Sequence, residues 1–69
     1  MDCMVIKVIE LIGTSDDGFE AAIQEAVARS SKTVKNITGM DILGQSVRIK
    51  ENTVEEYRVH LKVAFRVEN

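Results

Sequence analysis

The chain reads as an α+β protein with the element order β-α-β-β, and three observations carry that reading. Residues 57–67 alternate, with Tyr57, Val59, Leu61, Val63, Phe65 and Val67 on one face and Arg58, His60, Lys62 and Arg66 on the other. Residues 4–12, MVIKVIELI, are rich in β-branched side chains. Between these two segments an apolar stripe recurs at helical spacing.

Taken in order, the first strand covers residues 4–12 and is apolar on both parities except at Lys7 and Glu10, which predicts a strand buried on both faces. GTSDDG breaks it. Ser15, or Thr14 beside it, is the expected N-cap, and Asp16 and Asp17 suit the positive end of a helix dipole. The helix that follows sets Phe19, Ile23, Ala26, Val27, Ser30 and Val34 on one stripe. Its expected end is near Lys35, with Asn36 as a left-handed cap. A second strand spans residues 37–49, KENTVEE is the polar connection, and the alternating segment closes the chain. Gly39 and Gly44 stand inside the second strand, where glycine marks a bulge, a turn or a close approach by something else.

Composition limits what such a chain can be. Sixty-nine residues make a single domain, 1–69, too small to bury much surface without a staple. Cys3 is the only cysteine and His60 the only histidine, so neither a disulfide nor a zinc site is available, and self-association is the remaining staple. A net charge of −2 argues against nucleic acid, and no apolar run has the length of a membrane span. The start has no basic leader, and a cytoplasmic protein is the simplest reading.

The string VIKVIELIGTSDDGFEAAIQEAVARSSKTVKNI, followed by EYRVHLKVAFRVE, resembles the dodecin family. The resemblance runs from Met4 to Glu68. Its most specific pieces are the stretch from Lys7 to Ser15, the A-x-x-x-A-V-A-R helix and the Y-x-V-x-L-x-V-x-F strand. It sets the core at 4–68 and leaves Met1-Asp2-Cys3 as an extension. It implies a three-stranded antiparallel sheet partly wrapped around one helix, and twelve copies closed into a hollow shell. It also implies a binding and storage role for flavin (FMN or riboflavin), with no enzymatic activity.

The resemblance bears on the two glycines. Flavin-binding members carry a tryptophan that stacks on the isoalloxazine ring where this chain has Gly39. They carry a ring-edge glutamine at Arg58 and a polar or acidic residue at Gly44. Losing the stacking platform removes about 1–3 kcal/mol per ring, a ten- to hundred-fold loss of affinity. The expected ligand positions are Gly39, Gly44, Gln45 and Arg58, in a pocket where flavin is weakly held or replaced by another ligand. His60 and Lys62 are candidate anion contacts beside Arg58, against a plainer reading as a solvated polar face.

Two other readings stand beside this one: an ordinary flavin-storage dodecin, and a structural shell that is ligand-free or binds metal ions. For the latter, Asp16, Asp17, Asp41, Glu55 and Glu56 are hard oxygen donors for Ca²⁺ or Mg²⁺ where symmetry gathers copies, although no calcium loop is present. GTSDDG lacks the Lys-Ser/Thr of a phosphate loop, and no catalytic set is present. The expected partners are other copies of the chain and a small molecule, with no nucleic acid or membrane.

Overall fold

The computed structural model describes residues 4–67. They form β1 (Val5–Ser15), α1 (Phe19–Ser30), β2 (Ile37–Lys50) and β3 (Thr53–Val67), in the β-α-β-β order expected. The extension Met1-Asp2-Cys3 and the core limit at Glu68 lie outside the described residues. The sheet order is β1-β3-β2, with both outer strands antiparallel to β3. The strand with the cleanest alternation is therefore the central one. Val59, Leu61 and Val63 are fully buried, while His60, Lys62 and Arg66 on the other face are exposed.

α1 lies over β1 and β3. Its buried residues are Ala22, Ala26 and Ser30, and Phe19 and Ile23 pack against them. Small residues let the helix approach closely: a Cβ on Gly13 would overlap the Ala22 carbonyl oxygen. The Phe19 and Tyr57 rings meet edge-to-face with centroids 5.1 Å apart, which fixes the start of the helix on β3. The expected stripe thus differs in two ways. Ala22 joins the buried face, whereas Val27 is exposed, so the helix is rotated toward its smallest side chains.

The helix ends also differ from expectation. β1 continues through Ser15 because Ser15 pairs with Tyr57, and the cap is Gly18 at φ 122°, with no side-chain cap bond. Ser15 instead turns the chain, its Oγ accepting the Asp17 backbone N–H at 2.9 Å. At the other end, regular helix stops at Ser30 rather than Lys35. The hydroxyls of Ser30 and Ser31 donate back to the carbonyls of Ala26 and Val27, and tighter turns follow at Lys32 and Thr33. Asn36 does adopt a left-handed conformation, φ 63°, but at the entry to β2, where its carbonyl accepts the Arg66 N–H.

KENTVEE is not a loop. Lys50 pairs with Thr53, and only Glu51 (φ 52°) and Asn52 (φ 62°) turn the chain, the two positive φ values of a type I′ hairpin. Within one protomer β1 is not buried on both faces either: Val5, Ile6, Val8 and Ile12 are exposed. So are Ile42, Leu43, Val47, Ile49 and Val54 along the hairpin. The radius of gyration is 14.4 Å, against about 11 Å for a globule of this length. The accessible surface is 5370 Å², against about 4,300 Å² for a 7.7 kDa folded monomer. No helix of the described residues is long and apolar enough to cross a membrane.

Candidate functional site

The side of the sheet turned away from α1 gathers most of the residues in question. Register assigns them row by row across β1, β3 and β2. Thr14, Arg58 and Ser46 form one row, and Ile12, His60 and Gly44 the next. Then come Glu10, Lys62 and Asp41, followed by Val8, Ala64 and Gly39. Gln45 is the exception. Its partner is Val59, which puts it on the helix side of the sheet.

The two glycines reach the same face through bulges. The β2 register shifts between Ile37 and Gly39 and again between Ile42 and Gly44, so Thr38 and Leu43 are the extra residues. Neither glycine has a positive φ, and a Cβ built on either would meet nothing within 4 Å. Backbone conformation and packing inside the protomer therefore do not require glycine at either position.

Gly39 and Arg58 do not share a pocket within one chain. Gly39 pairs with Ala64, six residues along β3 from Arg58 (64 − 58 = 6), which at 3.3 Å per residue is roughly 20 Å. A site using both positions needs a second copy. Gly44, in contrast, faces an open depression of about 260 Å³ lined by Leu43, Gly44, Gln45, Ser46 and His60. That is somewhat below the roughly 300–1,000 Å³ of complete small-molecule sites.

Two cationic groups of this face have acids beside them. Arg58 Nε donates to Glu56 Oε1 at 2.8 Å, and Lys62 stands in register between Glu10 and Asp41. His60 has Ile12 on one side and Gly44 on the other. Among the described residues of one protomer, no three His, Cys, Asp or Glu side chains converge as a metal site.

A larger groove, of about 760 Å³, lies between the end of β1 and α1. Thr14, Ser15, Asp16, Asp17, Glu25 and Arg29 supply its polar lining. Glu25 and Arg29 form an i,i+4 ion pair at 2.5 Å.

Comparison with known proteins accounts for both the architecture and the uncovered apolar surface. The family model described as Dodecin matches residues 5–68. The chain belongs to the dodecin family. It is 45% identical over 64 residues to a dodecin of Thermus thermophilus, covering 93% of each chain. It is 35% identical over 63 residues to a calcium dodecin of Mycobacterium tuberculosis, covering 91% of this chain and 89% of that one. The dodecin structure from Streptomyces coelicolor superposes with a TM-score of 0.96 at 32% identity, over 100% of this chain and 99% of that one. Dodecins are small binding and storage shells rather than enzymes, and they assemble as dodecamers.

Proposed function

We propose that this chain forms a non-enzymatic dodecin shell of twelve copies that binds and holds a small ligand. In this reading the pocket is remodelled at Gly39 and Arg58, so that flavin is held weakly or gives way to another ligand. The single observation that carries it is Gly39. Nothing in the backbone or the protomer's packing calls for glycine there, and the position opens onto empty space. The family resemblance expects a stacking tryptophan at that position, and the chain contains none. The roughly 20 Å between Gly39 and Arg58 fits a site completed across a subunit contact.

The test is native mass spectrometry of the protein as purified, followed by titration with FMN. A species near twelve times 7.7 kDa, about 92 kDa, is the expected assembly. The substitution Gly39→Trp should raise FMN affinity ten-fold or more, in line with the roughly 1–3 kcal/mol of one stacked ring. An unchanged affinity in an intact dodecamer would sink the remodelled-pocket reading. A monomer would sink the shell.

A second reading has one specific support, the calcium dodecin relative. One protomer here gathers no three-ligand cluster among its described residues. In this reading calcium is held by acids of several copies, with Asp16, Asp17, Asp41, Glu55 and Glu56 as the candidate donors. Metal analysis of the purified dodecamer distinguishes this reading: stoichiometric Ca²⁺ supports it, and a metal-free shell removes it.

A further inference from the structure

We infer that the imidazole of His60, beside Gly44, is the stacking platform of this chain's ligand site, and that its ligand is a planar aromatic anion whose charge Arg58 takes up. This deepens the small-ligand reading above and rests on it.

Four observations converge. First, His60 is the only ring on the face away from α1 among the described residues. Tyr57 and Phe65 pair on the helix side, and Phe19 lies on the helix itself. Second, the ring has open ground beside it. Its neighbour across the ladder is Gly44, where even a Cβ would touch nothing, and the depression there is bounded by Leu43, Gly44, Gln45 and Ser46. Third, its neighbour on the other side is Ile12, an exposed aliphatic that extends the apolar floor. Fourth, a guanidinium lies one row away on the same face. Arg58 is about 7 Å along the strand, and its bond to Glu56 uses only one of five N–H donors.

These parts match one class of ligand. An imidazole stacks on a flat ring as the other aromatic side chains do. A partly committed guanidinium prefers a phosphate or carboxylate, which it can meet with two parallel N–H donors. Lys62 is the weaker candidate for the charge, because Glu10 and Asp41 flank it in register. The row at Gly39 offers no ring at all, since its partners are Ala64 and Val8. The platform that the resemblance expects there is replaced four residues along β3 (64 − 60 = 4).

The experiment uses the assembled protein with three probes: FMN (ring and phosphate), riboflavin (ring alone) and inorganic phosphate (charge alone). Fluorescence quenching should give FMN the tightest binding, riboflavin weaker by about ten-fold, and phosphate weakest. His60→Ala should weaken FMN about ten-fold or more, and His60→Phe should restore it. Arg58→Gln should erase the preference for FMN over riboflavin.

Because the chain has a single histidine, its ring resonances report on the wild-type protein without any substitution. Stacking under FMN should move them upfield. If wild type binds FMN while His60→Ala binds equally well and the resonances stay put, the platform is wrong and the small-ligand reading survives. If wild type binds none of the three probes, the platform falls, and the small-ligand reading falls with it only if the purified shell also carries no small molecule in its native mass spectrum. Should His60→Ala fail to assemble, the resonance shift alone decides.

Discussion

β3 pairs with β1 without a break from Ser15↔Tyr57 to Val5↔Val67, whereas its ladder with β2 is interrupted by three register shifts. The unbroken ladder lies under α1 and holds the buried cluster of Ala22, Ala26, Val59 and Leu61. The interrupted one extends past the helix as a hairpin with Ile42, Val47, Ile49 and Val54 exposed. One strand thus serves two neighbours with different tasks. The regular half holds the protomer's buried cluster, and the bulged half leaves its apolar side chains uncovered by the protomer.

That contrast can be broken most sharply at the hairpin. Ile42→Lys/Ile49→Lys puts two charges into apolar surface that the protomer leaves exposed. The dodecamer should disappear from the native mass spectrum while circular dichroism retains much of its strand and helix signal. A persisting dodecamer would show that the hairpin is not a subunit contact. Next in size is Leu61→Ala, in the regular half, which should cost about 2–5 kcal/mol by urea unfolding at a fixed protein concentration.

The glycines sharpen the comparison further. Gly13→Ala drives a methyl into the Ala22 carbonyl and should cost about 1–3 kcal/mol. Gly39→Ala, in open space, should be neutral or stabilising by about 0.5–1 kcal/mol. A cost at Gly39 as large as at Gly13 would mean that a second subunit presses on it. The smallest effect belongs to the turn. Glu51 holds φ 52°, which asparagine adopts more readily, so Glu51→Asn should raise the unfolding midpoint by the equivalent of up to about 1 kcal/mol.

These differences also explain what could be read beforehand. β3 was legible because its two faces meet different surroundings, so period two is written plainly from Tyr57 to Val67. β1 was misread in its burial because apolar residues on both parities record surfaces that the protomer alone does not cover. Ala22 was missed because alanine carries little apolar signal, although close approach over Gly13 is what selects it. The hairpin turn was hidden by its residues, since Glu-Asn is a weak sign of a type I′ turn and the charges around it resemble a loop.

Within the candidate site, Gly39 and Gly44 were visible as anomalies. Their common face was not, because an odd and an even position fall on opposite sides of any regular strand. The bulge at Leu43 brings them together. The long separation of Gly39 from Arg58 likewise follows from the order β1-β3-β2, which a single sequence leaves open.

Those bulges give β2 something like a reading frame. In an even strand, losing or gaining one residue turns every later side chain over. At Leu43 the extra residue is already absorbed, and Gly44, Ser46 and Arg48 keep the face of Asp41 across one unpaired position. Deleting Leu43 would leave Asp41, Ile42 and Gly44 opposite Lys62, Leu61 and His60, so the distal arm would keep its two surfaces and lose only the local kink and added twist of the bulge. A strand built this way can shed or absorb a residue at the bulge without turning its later side chains over.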